Sequence, residues 1–480
     1  MCRLTLRHRD LVAGAPGDRT GAAREPYKQT SPAHRWNMRI MLTKEERRES
    51  VSDGGKRSEI RLTEGASQVL ADLLEQSHEV APADIPKIVN DMSRELGLAA
   101  VGIFVIDEGQ KLLVPLMRPS DGSRGALSVD GSLAGLCYRT TSLRVTGDPL
   151  GGGLEMWLPL LNGVERIGVL RVRTPTLDGP TWYFCRLLAS LVTLMVLTKG
   201  AHSDDYRRAQ RSEPFSLPSE MVWAFLPPRT LGTDRVVSTA VLEPAGELGG
   251  DAFDHSLIGN RLHTTILDSM GHDLAAGLTS SVTMAGCRNA RRNGSGLEQL
   301  VARVDDSIHE VFPDRFCTGI FGNLELDTGL WSWINCGHPT PLLIREERLV
   351  PEALDSAPEL PLGLGHLTGA KRHVQQVQLQ PGDRVLLYSD GIVEALSSTG
   401  HRFGLENFID FIVRATAAGV TTYEVLRLLV QAIIRYHGGV LQDDATILLF
   451  EWRDPKVPPS PDQNHEHWRG ALSPNAHHID

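Results

Sequence analysis

The chain has 480 residues, 41% of them hydrophobic and 22% charged, and a formal net charge of −10. That length exceeds one ordinary core and predicts two folded domains joined by flexible segments, while the acidic balance argues against nucleic acid as a main partner. The cysteines at 2, 137, 185, 287, 317 and 336 form no CxxC pair and no zinc spacing, so reduced and mostly buried thiols are expected. The longest apolar stretch, Leu187 to Leu197, is too short to span a bilayer and contains Ser190 and Thr193. Leu4 to Val12 is broken by Arg7, His8, Arg9 and Asp10, unlike the apolar core of a signal peptide. A cytoplasmic protein with no membrane partner is expected.

Residues 1–60 are rich in Arg, Gly, Pro and Ser, and basic where the rest is acidic, so disorder is expected there. This stretch reads either as an electrostatic arm or as a solvated extension from an upstream start codon, with Met38 and Met41 as alternative starts. A first domain is expected over 64–199. Val69, Leu70, Leu73 and Leu74, then Ile85, Ile88, Val89, Met92 and Leu96, recur at helical spacing. Asp84 reads as the N-cap of the second helix, with Pro86 in its first turn. Ala100–Ile106 reads as a buried strand paired with Leu112–Leu116. A short helix over 131–136 follows, then strands Leu154–Leu160 and Arg166–Val172 joined by an Asn162-Gly163 turn, and a long helix from about Thr181 to Lys199.

That order, with Gly-Ser-Leu-Ala-Gly at 131–135 and Trp157-Leu-Pro-Leu before Arg166-Ile-Gly-Val-Leu-Arg-Val, resembles a GAF domain. The resemblance implies a pocket for a small ligand over the sheet, or dimerisation through the terminal helices. No residue names the ligand, and Cys137 reads as a core thiol. Residues 200–230 read as a linker, helical over Asp204–Arg211 and then Pro-rich.

In the second half, over 231–453, strands alternate with two helical blocks. Val236–Leu242, Arg261–Leu267, Cys317–Leu326, Leu330–Cys336, Lys371–Leu379, Asp383–Tyr388 and Ala445–Trp452 read as strands. Helices are expected from Leu274 to Arg291, from Gly296 to Val311, over Leu405–Ala417 and over Thr422–His437. Strand ends deliver four short segments: Gly249-Gly250-Asp251, Asp268-Ser269-Met270-Gly271-His272, Ser389-Asp390-Gly391 and Asp443-Asp444-Ala445-Thr446. Each alone is an ordinary turn. Together they offer oxygen ligands and close backbone approach, which hard divalent cations require.

With Asn335-Cys-Gly-His338-Pro and Pro361-Leu-Gly-Leu between them, these segments resemble the SpoIIE/RsbU branch of the PPM-type, metal-dependent serine/threonine phosphatases. Phe225-Leu-Pro-Pro-Arg229 is similar to the segment preceding the catalytic core in that family. The resemblance implies an α+β chain: a GAF-like sensor domain, then an α-β-β-α sandwich of two antiparallel sheets flanked by helices, with a disordered tail over 454–480. It implies that Asp251, Asp268, Asp390 and Asp443 bind two Mn²⁺ or Mg²⁺ ions, with the Ser269 carbonyl as a further ligand. Gly250, Gly271, His272 and Asp444 fall next to the site. Water activated by the two metals would attack phosphorus in line, without a covalent phospho-enzyme. The implied substrate is a phosphorylated anti-sigma-factor antagonist of the STAS type, and a homodimer is compatible with the pattern.

Two departures from the family pattern stand out: Ser269 where the wider family often has Gly, and Asp273 where a second Gly is usual, adding negative charge. His338 reads as a structural turn histidine, and Asp254, Asp327 and Asp444 as either supporting or turn residues. Two alternatives remain open: a catalytically weak pseudophosphatase that binds a phosphoprotein, and a small-molecule sensor whose output is dimerisation.

Overall fold

The computed structural model describes residues 62–116, 125–149, 151–211, 215–243, 249–271, 273–357, 359–369, 371–394, 402–417, 420–436 and 443–453. The expected disordered segment 1–60, the tail 454–480 and His272 lie outside the described residues.

The first module begins with helices α1 (Glu64–Gln76) and α2 (Ile85–Arg94). Thr63 caps α1 by accepting from the Ala66 amide; Asp84 stands at the N-cap of α2 but makes no side-chain cap bond, because Pro82–Asp84 is itself a 3₁₀ turn. Then come β1 (Ala100–Ile106), β2 (Leu112–Pro115), β3 (Leu127–Ser128), α3 (Leu133–Thr140), β4 (Arg144–Gly147), β5 (Leu154–Asn162), β6 (Glu165–Thr174) and α4 (Gly179–Gly200). The strands form one antiparallel sheet in the order β3-β2-β1-β6-β5-β4. Strand periodicity divides its two faces. Ile103, Leu158, Leu160 and Leu170 meet α1, α2 and α4 on one side; Phe104, Trp157 and Val169 meet Cys137 and Tyr138 of α3 on the other. α4 is long and apolar enough to cross a membrane by length and composition, yet half of its most apolar window is buried inside the protein.

Within residues 204–211 and 215–232 the expected linker carries three elements: α5 (Asp204–Gln210), α6 (Leu217–Phe225) and β7 (Thr230–Gly232). Pro218 does not prevent α6, because it sits in the first turn, where no backbone donor is needed, and Ser216 caps the Ser219 amide.

The second module comprises β8 (Val236–Glu243), β9 (Asp251–Ile258), β10 (Arg261–Ser269), α7 (Leu274–Arg292), α8 (Leu297–Val311), β11 (Cys317–Glu325), β12 (Leu330–Cys336), β13 (Leu342–Arg345), β14 (Arg348–Val350), β15 (Gln375–Gln378), β16 (Arg384–Tyr388), α9 (Asp390–Val393), α10 (Gly404–Ala417), α11 (Thr422–Tyr436) and β17 (Ala445–Trp452). Two antiparallel sheets, β15-β12-β11-β10-β9 and β14-β13-β16-β17-β8-β7, are built from them. Val236, Ala240, Leu448 and Phe450 of one sheet share a core with Ile266, Ile320 and Phe321 of the other, and Met284 of α7 and Val301 of α8 belong to the same cluster. The alternate residues Val241, Ile447 and Leu449 pack outward against α10 and α11. The result is an α-β-β-α sandwich.

Several elements of this module differ from expectation, among them three near the candidate site or its strands. β9, starting at Asp251, occupies residues not counted among the expected strands; its hydrophobic alternation is masked by buried Asp254 and His255. The strand expected over Lys371–Leu379 shrinks to β15, because Arg372 instead donates to the Pro361 carbonyl and Asp305, at 3.2 and 3.0 Å. Asp390 opens the short helix α9 rather than a plain turn.

Candidate metal-dependent phosphatase site

β9 and β10 place Asp251 directly opposite Asp268 in antiparallel register, and Asp268 faces Thr318 on its other side. The second sheet brings its acids to the same place. The Asp251 amide donates to Asp444 Oδ2 at 3.4 Å, so the sheets meet through these residues. Asp390 is held by the neighbouring strand end: the Ser389 amide donates to the Thr446 carbonyl and the Thr446 amide to Ser389 Oγ, both at 3.0 Å. Asp444 itself donates its amide to Asp443 Oδ1 at 2.9 Å. Asp251, Asp268, Asp390 and Asp443, expected from the motifs, are thus gathered at one edge of the sandwich, with Asp444 among them.

The backbone there is tightly drawn. A β-carbon on Gly250 would lie 2.1 Å from the Ser269 carbonyl oxygen, and one on Gly391 2.0 Å from the Asp444 carbonyl oxygen. Both positions therefore demand glycine. Gly271 takes φ +88°, in the left-handed region glycine favours. Ser269 accommodates its side chain inward, its hydroxyl lying 2.8 Å from Ser280 Oγ, while Ser280 Oγ donates to the Gly250 carbonyl.

Burial and like charge act together on Asp251, Asp268 and Asp390. Burial, then Asp268 and Asp444, hold the Asp251 carboxyl well above the usual range. Asp268 is pushed up to about 7 by burial and by Asp390, Asp443 and Asp444. Asp390 rises for the same reasons, with Asp443 and Glu394 as the charged neighbours. Asp251 is only 3% exposed, and its Oδ2 makes no hydrogen bond. An orphaned buried carboxylate oxygen, an all-oxygen donor set and two close backbone approaches fit hard divalent cations. Among the described residues no three acids form a ready-made ligand cluster, so this fit rests on donor chemistry and backbone shape.

Asp273, whose charge was a concern, has two partners. It caps α7 by accepting from the Ala276 amide at 2.9 Å, and Arg315 donates to its Oδ2 at 2.7 Å while also reaching the Met270 carbonyl. Arg315 holds the Asp273 carboxyl below the ordinary range. His338 is a structural residue: its Nδ1 lies 2.9 Å from Thr318 Oγ1, its amide donates to Asn335 Oδ1, and burial depresses its imidazole to about 3. Asp254 is a buried partner of Arg288 and Arg291, and Asp327 pairs with Arg235. Sequence reasoning assigned no role to Ser280 and Arg315. Nothing in the motif spacing marks either, because each reaches the site from a separate element.

Residues 258–453 match the family model for SpoIIE, "Stage II sporulation protein E". Protein IcfG of Synechocystis sp. is 23% identical over 270 residues, spanning 50% of this chain and 39% of that protein. The phosphoserine phosphatase RsbU of Bacillus subtilis is 21% identical over 214 residues, 44% of this chain and 62% of RsbU. The chain thus spans less than two thirds of the length of these curated relatives. Among solved structures, the RsbU and RsbW domains of Rv1364c from Mycobacterium tuberculosis align at 24% identity over 47% of this chain and 62% of that one, with a TM-score of 0.40. Residues 258–453 thus form a SpoIIE-type phosphatase domain.

Proposed function

We propose that this protein hydrolyses phosphoserine or phosphothreonine on a partner protein. Asp251, Asp268, Asp390 and Asp443 would hold two Mn²⁺ or Mg²⁺ ions, with the Ser269 main-chain carbonyl as a further ligand. Bound there, such ions neutralise phosphoryl oxygens and make water a stronger nucleophile. The chain's own residues supply the rest. Gly250 and Gly391 let main-chain carbonyls approach, Asp444 fixes the Asp251 backbone, and Ser389 and Thr446 lock the two strand ends together. Gly271 shapes the backbone after Asp268. Arg315 balances the charge that Asp273 adds. The observation that carries the reading is the in-register pairing of Asp251 with Asp268 at the edge where Asp444 arrives from the second sheet.

The substrate class we propose is a phosphorylated anti-sigma-factor antagonist of the STAS type, by analogy with the RsbU branch. The first module is proposed as a GAF-like sensor with a small ligand, able to dimerise, and the cytoplasm as the setting, in keeping with free buried cysteines such as Cys137 and Cys287.

The test is hydrolysis of p-nitrophenyl phosphate by the full chain with Mn²⁺, Mg²⁺ or EDTA, beside Asp268→Ala and Asp390→Ala. The reading expects metal-dependent turnover that both substitutions abolish. A folded wild type that neither binds metal nor turns over would instead favour a phosphoprotein-binding module. Deleting residues 1–200 should change specific activity; equal activity would remove the regulatory role of the first module.

A further inference from the structure

α11 has two working faces. Val425, Leu426, Leu429, Val430 and Ile433 pack into one cluster with Leu386, Tyr388, Ile392, Ile447 and Leu449. That cluster includes Tyr388 and Ile392, on either side of Asp390, and Ala445, Ile447 and Leu449 of β17, the strand that follows Asp443-Asp444. Thr422 adds a polar tie, donating to Glu451 of β17 at 3.1 Å. The opposite face carries Glu424, Arg427 and Gln431, spaced to align on one side of a helix.

All three reach into the first module. Arg427 bonds Asp130 at 2.7 Å and Glu424 at 2.8 Å. Glu424 also takes Arg166 of β6 at 2.8 Å. Gln431 donates to the Gly109 carbonyl at 3.1 Å. The Arg166 guanidinium lies between the rings of Tyr138 and Tyr423, 4.4 and 4.3 Å from their centroids. Side-chain exposure is 4% for Arg166, 8% for Glu424 and 1% for Arg427, against 55% for Asp130. Two buried arginines thus share one glutamate. Burying such charges is unfavourable unless each keeps its partner, so the cluster tolerates little displacement of one module against the other.

We propose that this cluster is the joint through which the first module acts on the metal-binding acids: the sensor sets the position of α11, and α11 sets the strand ends that bear Asp390, Asp443 and Asp444. This rests on the phosphatase reading and gives its regulation a physical route, distinct from the linker helix α5, which packs against the first module's own strands. Glu424 is a positioning residue here.

The test uses the full chain with Glu424→Gln, the milder Asp130→Asn, and Arg414→Ala as a control on an exposed pair of α10. Hydrogen exchange over 443–452 is read against 317–336 in the other sheet, together with the Mn²⁺ concentration giving half-maximal hydrolysis. Glu424→Gln should speed exchange at 443–452 by about tenfold with 317–336 unchanged, and should raise the Mn²⁺ requirement by about fivefold or more. Asp130→Asn should move both the same way by less, and the control neither. Unchanged exchange and Mn²⁺ requirement in folded Glu424→Gln overturn the proposal, as does equal loosening of both sheets. Should Glu424→Gln fail to fold, Asp130→Asn decides by the same two readouts. A wild type without metal-dependent turnover would defeat the phosphatase reading instead, and the exchange pattern alone would then decide on the joint.

Discussion

Asp268 links the site's electrostatics to the protein's stability. Its carboxyl rises from 3.8 to about 7, chiefly through burial and then through Asp390, Asp443 and Asp444. Without metal, the folded chain keeps a proton across that window which the unfolded chain has already lost. Stability is therefore greatest on the acidic side and falls as pH rises through the folded value. In EDTA the thermal midpoint should drop between about pH 4 and 7 and level off above, and Asp268→Asn should reduce that slope. Mn²⁺ should remove it as well, because a cation that binds the ionised form stabilises the native state. A slope undiminished in Asp268→Asn would place the titrating group elsewhere. Gly250 offers a second test at this scale. A methyl there meets the Ser269 carbonyl oxygen at 2.1 Å, so Gly250→Ala must push the strand ends apart. A displacement near 1 Å at a reacting centre costs about a hundredfold in rate, and Gly250→Ala should lose about that much turnover while staying folded by circular dichroism.

At the scale of elements, β9 and α7 are held together by one buried acid. Asp254, 2% exposed, receives Arg288 at 2.9 Å and Arg291 at 3.0 Å, and Arg291 is itself nearly buried. Removing the acid leaves a buried guanidinium without its partner, which costs about 3 kcal/mol or more. Asp254→Ala should lower the urea unfolding free energy by about that amount, whereas Asp327→Ala, an exposed partner of Arg235, should change it by about 1 kcal/mol or less. Similar losses in the two variants would show that the buried pair has no special weight. This pairing also explains why β9 was illegible. A strand bearing Asp254 and His255 on buried positions does not read as apolar alternation, and only the neighbouring helix supplies the arginines that make it foldable. α6 was hidden for another reason: Pro218 resembles a breaker in a linker, yet at a helix start it is well tolerated. By contrast, β10, β11, β12, α8 and β17 were readable within a residue or two, because each carries its periodicity in its own segment.

Over the whole molecule, the contact between α11 and the first module should couple the two halves in unfolding. Charges buried at such a contact couple the modules, since separating them strands Arg166, Glu424 and Arg427. Scanning calorimetry of the full chain should give a single cooperative transition, and Arg166→Met should split it in two. Two separate transitions in the wild type would show that the modules unfold independently. The sequence by itself determined the four acid-bearing segments, because Asp beside Gly at successive strand ends is a local pattern that chain order preserves, and the family resemblance of those segments implied the sandwich. It also flagged Asp273 as a departure, without showing its partner. Only the tertiary structure decided that Asp273 is balanced by Arg315, that Asp444 braces Asp251, and that Glu424 and Arg427 face the first module rather than water. Each of these pairs joins residues far apart in the chain, and their chemistry follows from burial and proximity, which only folding in three dimensions creates.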